Sequence, residues 1–169
     1  MSALDTRKPR PTRTPAPPVP AMDTLDQTHA QMLVVLDKLA QLMDHLERDG
    51  VDTAARDSAR AICAFFNDHA RQHHADEESL IFPKLLESGD AEIVQHVQRL
   101  QQDHGWLEED WIELSPQLQA VSEGYSWYDL DTLRAGVGIF ADLYHDHIGL
   151  EESLIYPHAR RQAAAQAKT

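Results

Sequence analysis

Apolar residues recur every three or four positions over four long stretches, the period of one buried face of an α-helix. The first runs from Asp23 to about Arg48, with Leu25, Met32, Leu33, Leu36, Leu39, Ala40 and Met43 on its stripe. The second spans about Thr53 to Leu86 and carries Ile62, Phe65, Phe66, Leu80 and Ile81. The third spans about Ala91 to Ser122, with Ile93, Val97, Leu100, Leu107, Trp111, Leu114 and Leu118. The fourth spans about Asp129 to Arg161, with Leu133, Val137, Phe140, Leu143, Leu154 and Ile155. Gly50, the run Ser88-Gly89-Asp90, and Gly124 punctuate the links. Pro116 lies inside the third stretch and predicts a kink or break there. A ~25-residue helix is roughly 37 Å long. Four of that length with short links predict an all-α, up-down-up-down four-helix bundle.

The start of the chain does not follow this pattern. Residues 1–22 hold six prolines, and the cations Arg7, Lys8, Arg10 and Arg13 against the single acid Asp5. Such a stretch buries no apolar face, so a disordered, Pro-rich basic tail is expected over 1–22. It lacks the apolar core of a secretory signal. The bundle is then expected over 23–163, with a flexible C-terminal tail over 164–169.

Composition narrows the choice of partners. The 169-residue chain has 42% hydrophobic and 25% charged residues, the balance of one globular domain. Its formal net charge is -13, which would repel nucleic acid and anionic membrane at long range. Neither is expected as a partner. Cys63 is the one cysteine, which excludes an internal disulfide and a cysteine metal cluster. A lone cysteine suits a reducing compartment, so a cytoplasmic location is expected. Histidine is over-represented, with ten residues.

Those histidines fall into an internal repeat. His73-His74-Ala75-Asp76-Glu77-Glu78-Ser79-Leu80-Ile81-Phe82-Pro83 recurs as His147-Ile148-Gly149-Leu150-Glu151-Glu152-Ser153-Leu154-Ile155-Tyr156-Pro157. Each block sets a His four residues before a Glu. The other two helices echo each other through Leu25-Asp26-Gln27-Thr28-His29 and Leu100-Gln101-Gln102-Asp103-His104. This implies two hairpins related by a pseudo-two-fold axis. Residues i and i+4 share a helix face, so His73 with Glu77, and His147 with Glu151, project along the apolar stripes. His29 and His104 lie on the stripes of their own helices. Four imidazoles and two carboxylates aimed into an apolar core need compensation, since an unpaired buried carboxylate costs several kcal/mol. A metal centre supplies it. Divided in two, the ligands form two His2Glu sets whose carboxylates are able to bridge. Imidazole with carboxylate suits Fe, Mn or Zn.

At these residues the sequence resembles the hemerythrin-like (HHE cation-binding) family over about residues 23–161. The resemblance implies a non-haem centre of two iron ions, oxo- or hydroxo-bridged, with Zn or Mn as alternatives. It implies His29, His73, Glu77, His104, His147 and Glu151 as metal ligands. It also implies binding of O2, NO or peroxide in sensing, storage or oxidative and nitrosative stress defence. Alternatives are iron handling, or consumption of peroxide or NO as a di-iron peroxidase or NO reductase. That enzyme would need an external reductant or a protein partner, because no nucleotide- or flavin-binding fingerprint is present.

The sequence departs from the oxygen-carrying branch, which has His-x3-His on the third helix and His-x4-Asp on the last. Here Glu108 stands four residues after His104, and the last pair is His147-x3-Glu151. With one histidine fewer, the resemblance implies that one iron is less fully ligated, or that Glu108 or water fills the place. His69 and Tyr144, each within about one turn of a ligand histidine, are the other candidates for an additional ligand or a supporting partner. His74, Glu78, His145 and Glu152 are expected at the surface, and Cys63 in or beside the core.

Overall fold

The computed structural model describes residues 22–168. The basic tail expected over 1–22 lies outside the described residues, except Met22, which opens the first helix. All regular structure among the described residues is helical. The first helix is Met22–Asp49. The second occupies residues 53–86 as an alternation of α and wider π turns: Thr53–Ala64, Phe65–His69 (π), Ala70–Asp76, Glu77–Ile81 (π) and Phe82–Leu86. The third is Ala91–Ser122. The fourth occupies residues 130–166 as Leu130–Leu150, Glu151–Ile155 (π) and Tyr156–Gln166.

Local chemistry sets the ends. Asp52, Asp90 and Asp129 each accept hydrogen bonds from the first free backbone N–H groups of the helix that follows. Gly50 closes the first helix at φ +68° and Gly124 follows the third at φ +88°, a region side chains with a Cβ disfavour.

Two helix boundaries refine the expectation. Of the kink or break expected at Pro116, the break does not occur, and the third helix continues to Ser122. Its flanks Leu114, Leu118 and Val121 are buried, and that packing outweighs one lost backbone hydrogen bond. The last helix extends to Gln166. Residues 164–166, assigned to a flexible tail, are helical because Gln162-Ala163-Ala164-Ala165-Gln166 is built of strong helix formers.

Consecutive helices pack on one another and the fourth also packs on the first. The interior forms two apolar clusters. One contains Met32, Ala70, Leu107 and Ile148 among its members. The other contains Leu25, Ile81, Leu100 and Ile155. On every helix a polar residue separates the two: His29 between Leu25 and Met32, His73 and Glu77 between Ala70 and Ile81, His104 between Leu100 and Leu107, and Glu151 between Ile148 and Ile155. The result is a polar layer enclosed by two oily ones.

The π turns explain part of the register at this layer. Pro83 and Pro157 have no N–H, and a proline ring crowds the carbonyl four residues back. In both places the preceding turn opens, so that Phe82 N–H reaches Glu77 O and Tyr156 N–H reaches Glu151 O. The wider turn shifts the helix phase. Ile81 and Phe82 are therefore buried while Leu80, placed on the stripe by a uniform helical period, is only partly so.

The larger cluster is anchored by Phe66, Trp111, Phe140 and Tyr144, with Phe66 and Phe140 in edge contact at 5.1 Å. Trp111 donates to Asn67 Oδ1 at 2.8 Å. Truncating Phe140, which is fully buried, should destabilise the protein by about 3–5 kcal/mol, measured as Phe140→Ala in urea unfolding. Burial pushes the Cys63 thiol up to about 11. At pH 8 only about a thousandth would be thiolate, so labelling with a thiol reagent should be slow when folded and rapid in denaturant.

Candidate metal centre

The polar layer draws one imidazole from the first helix, His29, and one from the third, His104. The second and fourth helices each add a His and a Glu four residues apart. His29, His73, Glu77, His147 and Glu151 are buried to 3% exposure or less, and His104 to 8%. The six side chains implied by the repeat therefore meet in one place.

Their atoms face inward in pairs. His29 Nε2 and His73 Nε2 lie 3.0 Å apart, and His104 Nε2 and His147 Nε2 lie 3.1 Å apart. Each carboxylate spans both pairs. Glu77 sets Oε1 3.0 Å from His73 Nε2 and Oε2 3.2 Å from His104 Nε2. Glu151 sets Oε2 3.0 Å from His29 Nε2 and Oε1 3.1 Å from His147 Nε2.

Two carboxylates expected at the surface touch this assembly from there, Glu152 exposed and Glu78 partly so. Glu152 Oε1 lies 3.2 Å from His29 Nδ1, and Glu78 Oε1 lies 2.8 Å from His104 Nδ1. An N–H at Nδ1 donating to the carboxylate leaves the Nε2 lone pair aimed at the centre. The second Glu of each Glu-Glu-Ser-Leu-Ile block thus steers the histidine of a neighbouring helix. Asp103 Oδ2 stands 3.5 Å from His147 Nδ1.

His74 was also expected at the surface, because it lies 100° around the helix from His73. A helix flanked by two neighbours buries a wide sector. His73 is directed to His29 on the first helix, while His74 stacks on His104 of the third with ring centroids 4.1 Å apart. The signal available in the sequence was the unusual His-His pair itself.

The remaining candidates lie elsewhere. His69 is exposed and stacks on Phe65. It lies on the side of His73 away from the third helix, while Phe66, Ala70 and Glu77 take the buried sector of this helix. Glu108 gives both carboxylate oxygens to Arg71 at the partly exposed edge and does not point into the layer. Tyr144 is buried and stacks on His74 at 5.9 Å, so it contacts the centre through that ring. A cavity of about 10 Å³ lies among Phe66, Ala70, His74, Leu107, Trp111 and Tyr144, with the Arg71–Glu108 pair on its outer side. That is about the room one water needs. Tyr156, overlooked in the sequence, donates its hydroxyl to Glu77 Oε1 and lies 3.2 Å from His29 Nε2.

The electrostatics are those of charge confined in a dry space. Burial opposes ionisation of Glu77, but hydrogen bonds from His104 and His73 outweigh it and hold that carboxyl well below the usual range. Burial and the neighbouring Glu77 charge push Glu151 upward. Burial, then the nearby His104, lowers His74 well below an ordinary imidazole, so its ring is neutral. Burial and the Glu77 and Glu151 charges raise the Tyr156 phenol, which stays protonated.

These residues fit a cation. Buried ring nitrogens without a hydrogen-bond partner include His73 Nδ1, His74 Nε2 and His147 Nδ1. Facing Nε2 lone pairs repel unless a proton or cation lies between them. The donor atoms form two groups, His29/His73/Glu77/Glu151 and His74/Glu77/His104/His147, each within 4.8 Å. Opposite ligands of one metal at ~2.1 Å per bond stand ~4.2 Å apart, a similar span. Glu77 belongs to both groups.

Residues 21–159 match a family model, the hemerythrin HHE cation binding domain. The chain belongs to the hemerythrin HHE cation-binding family. The chain is also similar to an uncharacterized protein of Haemophilus influenzae, 31% identical over 134 residues covering 79% of this chain and 75% of the relative. The HHE member described here combines that domain with His/Glu clusters suited to a metal.

Removing an outer carboxylate should loosen metal without unfolding the bundle. Glu152→Ala and Glu78→Ala should each weaken metal binding about 10–100-fold, measured by chelator competition, with helicity unchanged by circular dichroism.

Proposed function

We propose that this protein is a non-haem di-iron protein that binds O2, NO or peroxide in sensing, storage or oxidative and nitrosative stress defence. The observation that carries the reading is the pair of carboxylates, Glu77 and Glu151, each turning one oxygen to either histidine pair. On this reading His29 and His73 would hold one iron and His104 and His147 the other, with Glu77 and Glu151 shared between them.

Two bridged irons supply, when bound, redox electrons and open positions for a small ligand. The chain's own residues determine the surroundings. Glu152 and Glu78 orient His29 and His104. Tyr156 holds a proton at its hydroxyl beside Glu77 Oε1. The aromatic group of Phe66, Trp111, Phe140 and Tyr144 limits water on one side. A diatomic or peroxide is small enough for such an interior, whereas a larger organic substrate is not.

The reading includes the bundle over 23–163 in up-down-up-down order, with a pseudo-two-fold hairpin repeat. The order of the apolar clusters supports it. The first and third helices pass from the Leu25 cluster to the Met32 cluster, and the second and fourth pass back. The matched π turns at Glu77–Ile81 and Glu151–Ile155 support the repeat. A cytoplasmic location and an external reductant belong to the same proposal. Among the described residues no helix is long and apolar enough to cross a membrane.

Metal analysis with an optical spectrum before and after O2 and azide tests the function. Two irons per chain with near-UV charge-transfer bands are expected; one zinc per chain, or no iron after anaerobic loading, would sink the oxygen chemistry. A stable oxygenated spectrum favours a carrier or sensor, and sustained peroxide or NO consumption favours an enzyme. Because iron binds only the folded layer, removal should lower the melting temperature. Ligand at 100 times Kd contributes about 2.7 kcal/mol, or roughly 5–11 °C for a chain of this size.

A further inference from the structure

The internal repeat is broken at two positions in the metal layer, and both breaks carry a polar group. At one, Tyr156 stands where the first block has Phe82. At the other, His74 stands where the second block has Ile148. Tyr156 serves the His29/His73 side, with its hydroxyl 3.2 Å and 3.4 Å from their Nε2 atoms. Its counterpart Phe82 brings no polar atom and stacks on His104 with centroids 5.6 Å apart. The His104/His147 side therefore receives no hydroxyl from this position, and it is this side that His74 approaches.

The His74 ring lies 4.1 Å from the His104 ring and 5.6 Å from the His147 ring, centroid to centroid. Its Nε2 is inaccessible to solvent and has no hydrogen-bond partner. A core histidine kept for packing would satisfy that nitrogen, since an unpaired buried polar atom costs about 1–3 kcal/mol. Instead a ring nitrogen of His74 shares a span of 4.8 Å with donor atoms of Glu77, His104 and His147. The third-helix residue at the competing position, Glu108, is engaged by Arg71 through both oxygens.

We infer that His74 is the third nitrogen ligand of the metal held by His104 and His147, so that the two metal positions are chemically unequal. This rests on the di-iron reading. One position has three imidazoles; the other has two, with the Tyr156 hydroxyl beside them. The extra nitrogen comes from the second helix, next to His73, and not from the third.

The test uses the full chain with ferrous iron supplied anaerobically, followed by desalting, metal analysis and chelator competition. Three variants are compared: His74→Ala, His74→Phe and Glu108→Ala. His74→Phe keeps an aromatic ring to stack on His104 and Tyr144 but removes the nitrogen, so it separates packing from ligation. The wild type should retain two irons and Glu108→Ala should match it. Both His74 variants should retain one tightly. The second should be weakened more than ~100-fold, beyond the 10–100-fold cost of losing an outer partner. Added imidazole should restore the second iron to His74→Ala. If His74→Phe holds two irons with wild-type affinity and spectrum, His74 is a packing residue and the inference falls alone. If the wild type itself holds fewer than two, the di-iron reading falls and takes the inference with it.

Discussion

Two carboxylates, Glu77 and Glu151, sit with no solvent exposure among four imidazoles in the middle of an apolar bundle. Charge in such a place is tolerated only when opposite charge and hydrogen bonds replace lost water. Much of the architecture meets that requirement. Every helix must deliver a polar side chain at one level, and the apolar clusters on either side must hold the helices in register. A slip of one residue on any helix rotates its donor by 100° and leaves a carboxylate or imidazole facing hydrocarbon.

The devices that keep the register are local and repeated. Aspartate caps fix where three of the helices begin. The proline after each Glu-Glu-Ser-Leu-Ile block coincides with a widened turn starting at the site glutamate. The second glutamate of each block crosses to a neighbouring helix and holds a histidine by its outer nitrogen. A single short motif thus supplies an inner carboxylate, an outer carboxylate and the turn geometry that separates their directions. Surface pairs such as Arg134 with Asp44 and Glu47 join the first and fourth helices at the edge, where each contributes little.

The two halves are alike in their inward-facing histidines and glutamates and unlike in their surroundings. One side has a hydroxyl over its histidine pair, from Tyr156. The other has a phenyl ring, Phe82, and an added imidazole, His74. Unequal surroundings are how a symmetric ligand set is made to treat two ions, or the two ends of one small ligand, differently. The small cavity beside His74 lies on that second side.

Periodicity alone determined the four helices and their approximate limits, because a helix buried on one face writes its apolar stripe into the chain. The repeat alone determined which six side chains would meet, because i,i+4 spacing on a stripe leaves few directions open. Tertiary structure decided the rest. A helix with two neighbours buries a sector wide enough for both His73 and His74, so the second histidine could not be placed until the third helix was beside it. Glu78 and Glu152 read as surface charges, and only the helices packed beside them show the imidazoles they hold. Glu108 and His69 read as candidates until an arginine engaged one and the ring of Phe65 stacked on the other. All but the last of these outcomes depend on a contact between residues far apart in the chain, which is not encoded in the spacing of one helix.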